Sequence, residues 1–104
     1  VAVLGMGADG HTASFFPGGD NLDAALSETN DALLTAMRAP GAGEPRITLT
    51  RHALLQSRAL YLHIEGAEKA SVLKKALGPG PVEDLPVRAM LQQDLNELVI
   101  FYAP

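Results

Sequence analysis

The stretch VAVLGMGADGHTAS (residues 1–14) decides the interpretation of the fold. Its first four residues form an apolar run that ends at Gly5, which is typical of a parallel strand buried on both faces. Gly5 is the first of three glycines, and Asp9 and His11 lie among or just after them. In open α/β sheets, ligands bind beyond the carboxyl ends of the strands. Residues 5–14 therefore lie where a ligand site is expected.

Strand patterns alternate with helix patterns along the rest of the chain, which implies right-handed crossovers and helices on the faces of the sheet. We therefore predict an α/β fold, a three-layer α/β/α Rossmann-like arrangement with a mostly parallel sheet. Predicted strands are residues 1–4, 45–49, 59–64 and 98–102, the last also buried. Predicted helices are residues 21–26 capped by Asn21, 51–56 capped by Thr50, 67–77 and 86–91. Residues 12–16 are predicted as one helical turn, 32–37 as strand or helix, and 39–45 as a surface loop.

Composition excludes several classes of function. The 104 residues correspond to one domain or a piece of one. A net charge of −4 without a basic run argues against a nucleic-acid partner. No apolar stretch approaches the roughly 20 residues that a membrane helix needs, so no membrane association is expected. The chain has no cysteine, which excludes disulfides and thiolate metal sites and agrees with a reducing compartment, the cytoplasm.

The chain begins at Val1, inside a predicted strand and without an initiator methionine. We therefore expect residues 1–104 to be the C-terminal portion of a single, longer α/β domain.

The opening glycine-rich stretch has two interpretations. Glycines let backbone N–H groups approach an anion closely, His11 could act as a general base, and Asp9 could orient its ring. Alternatively, the stretch is a glycine turn with a solvated histidine, and spacing alone leaves the two about equal. Residues 5–10 match Gly-x-Gly-x-x-Gly, but no long helix or acidic-ended second strand follows, which argues against a dinucleotide. Ser14 lacks the Gly-x-Ser-x-Gly context of a nucleophile.

Two cations are further candidates for ligand binding. Arg46 begins a predicted strand, and Lys69 lies in the first turn of the helix over residues 67–77, where a cation is unfavourable unless an anion is also present. An arginine at the start of a strand is usually a surface charge, and a solvated lysine is the alternative interpretation of Lys69. The three histidines, His11, His52 and His63, lack the close spacing of metal ligands, so no metal site is expected.

Three motifs resemble the 6-phosphogluconolactonase family, specifically its C-terminal half. They are LGMGADGHTASFFPG (residues 4–18), PRITLTRHALL (residues 45–55) and GAEKASVLKKAL (residues 66–77). The related glucosamine-6-phosphate deaminases share the Asp-Gly-His core. Their motif continues to a glutamate before the proline, whereas this chain has Phe16 there. The resemblance therefore favours the lactonase.

This resemblance implies hydrolysis of 6-phospho-D-glucono-1,5-lactone to 6-phosphogluconate, a step of the pentose phosphate pathway, without metal or organic cofactor. By the same resemblance, His11 is the general base that activates water, and Asp9 and Gly10 shape the loop and orient the site. Asp9 thus counts with His11 as catalytic, and Gly10 as substrate-binding. Arg46 and Lys69 would bind the phosphate or steady developing negative charge.

The family's N-terminal half has no counterpart in the chain, which leaves one sheet edge uncovered. We therefore expect the isolated chain to have weak or no lactonase activity, or to self-associate through that edge. A deaminase-like isomerase acting on an amino sugar phosphate and a non-catalytic sugar-phosphate-binding fragment remain the alternative functions.

Overall fold

A computed structural model describes residues 1–104 as an α/β fold with two sheets. The larger sheet has three parallel strands in the order β1-β4-β5, and the smaller is an antiparallel pair of β2 and β3. The strands are β1 (Ala2–Leu4), β2 (Leu34–Met37), β3 (Arg46–Leu49), β4 (Leu60–Glu65) and β5 (Leu98–Ala103). The helices are α1 (Leu22–Leu26), α2 (Arg51–Leu55), α3 (Ala67–Leu77) and α4 (Arg88–Leu91).

The central strand, β4, organises the core. Its alternate side chains Leu60, Leu62 and Ile64 are buried and join a single core cluster with residues from all four helices. Successive side chains on a strand point to opposite faces, so this alternation buries one face of the sheet. The predicted α/β class and the mostly parallel sheet are confirmed.

The opposite face of the parallel sheet is uncovered, and here two predictions are wrong. The sequence predicts that β1 is buried on both faces and that β5 is buried, yet Val3 is 69% exposed and Phe101 is 54% exposed. Val3 pairs with Tyr61 of β4, and Phe101 pairs with His63 of the same strand. Tyr61 and His63 are two residues apart and point to the same face, so Val3 and Phe101 lie on that face as well. This chain thus supplies the sheet and one helical layer of the three-layer arrangement.

Local sequence signals are confirmed at several element boundaries. Thr50 caps α2, and its Oγ1 accepts a hydrogen bond from the Ala53 N–H at 3.1 Å. The observed α3 has the predicted bounds. Asn21 occupies the N-cap position of α1 but does not cap it, since its side chain donates instead to the carbonyl of Ala36 at 2.9 Å. The ambiguous residues 32–37 contain a strand, because β2 pairs with β3.

Two connecting segments differ from their predicted form. Residues 12–16 form a tight turn rather than a helical turn: Thr12 and Phe15 form an isolated bridge around Ala13, whose φ is +50°. The loop over residues 39–45 contains a short 3-10 helix, Pro40–Ala42, and Ala42 is buried. Tertiary packing therefore buries part of a segment whose proline- and glycine-rich composition is typical of a surface loop.

None of the helices combines the length and the apolar character needed to cross a membrane.

Candidate active site

The glycine-rich loop leaves the carboxyl end of β1 and folds back on itself. The Thr12 hydroxyl donates to the carbonyl of Gly5 at 2.7 Å, and the Gly7 N–H donates to the carbonyl of His11 at 2.9 Å. Thr12 is fully buried, so it anchors the far end of the loop to the protein interior. These bonds hold His11 above the end of the strand.

Asp9 and His11 form a hydrogen-bonded pair within this loop. One carboxylate oxygen, Oδ1 of Asp9, accepts from the His11 backbone N–H at 3.0 Å and contacts the ring nitrogen Nδ1 at 2.5 Å. Burial acts to raise the pKa of the Asp9 carboxyl. The hydrogen bonds from His11 and the charge of its ring outweigh that effect, so the net pKa lies below its usual value. An ionised carboxylate only accepts hydrogen bonds, so Nδ1 carries a proton and Nε2 keeps its lone pair in the neutral ring.

His11 and Lys69 lie on the same cleft, which has a volume of about 410 Å³. Lys69 is in the first turn of α3, directly after the β4 strand and the Gly66 turn, where φ is +89°. Because β1 and β4 are adjacent and parallel, their carboxyl ends meet at one edge of the sheet. The structure thus brings together two candidates that are far apart in the sequence. The cleft is lined by Val3, Leu4, Gly5, Met6, Gly7, His11, Ala13 and Lys69.

Arg46 is not among the residues that line this cleft, but it contacts Phe16, the residue on which His11 stacks. It is exposed at the start of β3, and its Nε and Nη2 donate to the carbonyl of Ala42 at 3.2 and 3.1 Å. Its guanidinium carbon is 5.1 Å from the ring centroid of Phe16. The remaining nitrogen, Nη1, has no hydrogen-bond partner in the structure and is available to an anion.

Gly10 is buried and shapes the loop from behind. Its φ is +82°, and its carbonyl accepts from the Val87 N–H at 2.9 Å. A Cβ at this position would lie 2.6 Å from Cδ2 of Leu85 and 3.0 Å from its Cα. Gly10 therefore ties the loop to the segment before α4, and it does not line the cleft.

Sequence reasoning missed two residues that set the position of the histidine. A Cβ on Gly7 would overlap the imidazole of His11 and lie 2.8 Å from Oδ1 of Asp9. Phe16, which is 2% exposed, stacks on the imidazole with ring centroids 4.3 Å apart. The glycine pattern marked Gly7 as part of a loop, but no sequence signal showed that a side chain occupies the space beside it.

Comparison with known proteins places these features in a family. The profile of the family described as glucosamine-6-phosphate isomerases/6-phosphogluconolactonase matches residues 1–100. The chain belongs to this family. The predicted family resemblance is therefore confirmed.

Members of the family named 6-phosphogluconolactonase are similar to the whole chain. The protein from Rhizobium meliloti is 50% identical over 104 residues, which is all of this chain and 45% of that protein. The one from Mesorhizobium japonicum is 43% identical over the same length, or 43% of that protein. A crystal structure of a 6-phosphogluconolactonase from Shewanella baltica superposes with a TM-score of 0.89 at 43% identity, covering 96% of this chain and 42% of that one. The chain thus spans less than half the length of these relatives.

Proposed function

We propose that this chain carries the catalytic base of a lactonase that hydrolyses 6-phospho-D-glucono-1,5-lactone to 6-phosphogluconate. We also propose that residues 1–104 are the C-terminal portion of its α/β domain and that the protein acts in the cytoplasm. One observation carries the proposal: Asp9 holds Nδ1 of His11, which leaves Nε2 as a base in a cleft that also contains Lys69. The names of the family members above support the choice of substrate.

In the proposed reaction, Nε2 of His11 removes a proton from a water molecule as the water oxygen attacks the lactone carbonyl. The ester C–O bond of the ring then breaks, and the ring oxygen takes the proton from the imidazolium to become a hydroxyl group. The carboxylic acid that forms loses its proton to solvent. The Asp9 carboxylate stabilises the imidazolium between the two transfers. These steps use only side chains and water, so the mechanism requires no cofactor.

The cations provide the complementary charge. Lys69 lines the cleft and favours an anion there, either the phosphate of the substrate or the oxyanion of the tetrahedral intermediate. The partial positive charge at the N-terminus of α3, in whose first turn Lys69 lies, acts in the same direction. Arg46, which contacts the same Phe16 ring as His11, offers its free Nη1 as a further donor. A negatively charged phosphosugar lactone therefore matches the charge of the site.

Replacing Lys69 with alanine is expected to raise KM for the lactone about tenfold and to change kcat by less than about threefold, because a phosphate contact is made equally in the ground and transition states. The measurement is steady-state hydrolysis, corrected for the spontaneous reaction. Lys74→Ala, in the last turn of the same helix, is the matched control. An unchanged KM in the Lys69 variant would remove this residue from phosphate binding.

Replacing Gly7 with alanine is expected to lower kcat about tenfold or more, because the new methyl group overlaps the imidazole of His11 and displaces it from the attacking water. Gly5→Ala is the matched control, since a Cβ there meets nothing within 4 Å although Gly5 lines the same cleft. Both variants are compared by their kcat at saturating lactone. Equal losses in the two variants would contradict the steric explanation.

The decisive experiment supplies two substrates separately to this chain and to any longer natural polypeptide that contains it. Hydrolysis of the phospholactone supports the proposal. Release of ammonia from glucosamine 6-phosphate without lactone hydrolysis would assign the site to a deaminase. Calorimetric binding of 6-phosphogluconate without turnover in either polypeptide would indicate a non-catalytic binding module.

The intact mass of the native gene product identifies which polypeptide is assayed. Sedimentation of the isolated chain tests the proposed self-association through the uncovered sheet edge.

A further inference from the structure

We infer that Phe16 is a positioning residue of this site, because its buried ring holds the imidazole of His11 and the guanidinium of Arg46 in one fixed arrangement. The inference rests on the proposed lactonase function for its kinetic consequence. It concerns a side chain that touches neither water nor substrate, since only 2% of Phe16 is exposed.

The stack between Phe16 and His11 restricts the imidazole. The two ring centroids are 4.3 Å apart and the ring planes are inclined by 22°. Asp9 contacts only one edge of the same ring, at Nδ1, and does not restrain its face. The flat contact with Phe16 restrains the tilt of the ring plane, so the direction of Nε2 is defined by Asp9 and Phe16 together.

The same aromatic ring orients the cation. The guanidinium carbon of Arg46 lies 5.1 Å from the Phe16 centroid, within the range of a cation–π interaction. The two hydrogen bonds to the Ala42 carbonyl hold one side of the guanidinium and leave Nη1 free. Arg46 has no carboxylate partner in the structure, so its position depends on this carbonyl and on the ring.

The arrangement links a base and an anion-binding group through one core side chain. Phe16 belongs to the hydrophobic core cluster, whereas His11 is partly exposed and Arg46 is exposed. A rigid core residue is thereby in contact with two side chains that would otherwise sample several rotamers. Loss of the ring should consequently affect catalysis and anion binding together.

The kinetic test compares Phe16→Leu with Phe15→Leu. Phe15 is the adjacent buried phenylalanine and contacts neither His11 nor Arg46 through its ring, so both changes remove a core aromatic ring but only one removes the stack. We expect Phe16→Leu to lower kcat and raise KM, with a loss of about tenfold or more in kcat/KM. Phe15→Leu should stay within about threefold at a temperature at which both variants are folded. Equal losses would overturn the inference.

A double-mutant cycle tests the cation separately, with inorganic phosphate as the probe. Phe16→Leu is expected to weaken phosphate binding about fivefold in the otherwise unchanged chain, and less than about twofold when Arg46 is already alanine. Such non-additivity is not expected if Phe16 only stabilises the fold. An equal effect in both backgrounds, or no phosphate binding by the unchanged chain, would overturn the inference.

Nuclear Overhauser effects in the unchanged chain give a readout that needs no variant and no turnover. Ring protons of Phe16 should show contacts to the ring of His11 and to the Arg46 side chain, and their absence would overturn the inference. If these contacts and the cycle are found but the lactone is not hydrolysed, the proposed function fails while the positioning role stands. Phe16→Met replaces Phe16→Leu if the latter does not fold.

Discussion

His11→Gln is expected to lower kcat for lactone hydrolysis by about 10²- to 10⁴-fold, the usual contribution of a positioned general base. Glutamine keeps a polar side chain of similar reach but cannot accept a proton from water near neutral pH. KM should change by less than about threefold, because the base acts on water and on the transition state rather than on the phosphate. The Asp9 contact at Nδ1 is the structural reason for assigning this role to Nε2.

The measurement is the rate of lactone opening above the spontaneous rate, with kcat and KM determined separately. His52→Gln is the matched control, because His52 lies on α2 and its ring contacts Gln56 rather than the cleft. If His11→Gln lowered kcat/KM only by raising KM, His11 would be assigned to substrate binding. An unchanged kcat would leave the mechanism without its base.

Arg88→Met is expected to produce the largest loss of stability, about 3 kcal/mol or more in the free energy of unfolding. Arg88 is 4% exposed and has no acidic partner. Its guanidinium donates instead to four backbone carbonyls, those of Ala76, Pro81, Lys75 and Pro79, at 2.9 to 3.2 Å. Methionine keeps the apolar volume but removes every donor, so the carbonyls of Ala76 and Pro79 lose their hydrogen-bond partner. The carbonyls of Lys75 and Pro81 lose one of two partners, because each also accepts from a backbone N–H.

Urea denaturation followed by circular dichroism measures this loss. The exposed Arg58, changed to methionine, is the matched control and should shift the midpoint only slightly. A lower midpoint with an unchanged slope would indicate loss of native stability rather than a change in the denatured state. Coincident transitions for the two variants would contradict the role assigned to Arg88.

Some elements could be predicted from the sequence because their signals are local. The α3 helix has its apolar stripe, its terminal lysines and its flanking glycines within a dozen or so residues, and its bounds are confirmed. Thr50 caps α2 through an N–H three residues further on. The Asp9–His11 pair is equally local, since the residues are two positions apart and share one loop.

Burial of the outer strands could not be predicted in the same way. An apolar run predicts a strand whose side chains suit the protein interior. Whether both faces of that strand are buried depends on which other elements pack on them. Val99 and Phe101 on β5 have the composition of an interior strand and are exposed in this structure.

The sequence by itself determined the α/β class, the family and the loop that presents Asp9 and His11, because these depend on periodicity and on short motifs. Only the tertiary structure decided which distant residues act with them. It places Lys69 on the cleft of His11 because β1 and β4 are adjacent and parallel, although they are separated in the chain. In the tertiary structure, Arg46 and His11 both contact the ring of Phe16. The Ala76 carbonyl accepts a hydrogen bond from Arg88, 12 residues further along the chain. Such contacts have no local sequence signal, since packing rather than propensity brings the partners together.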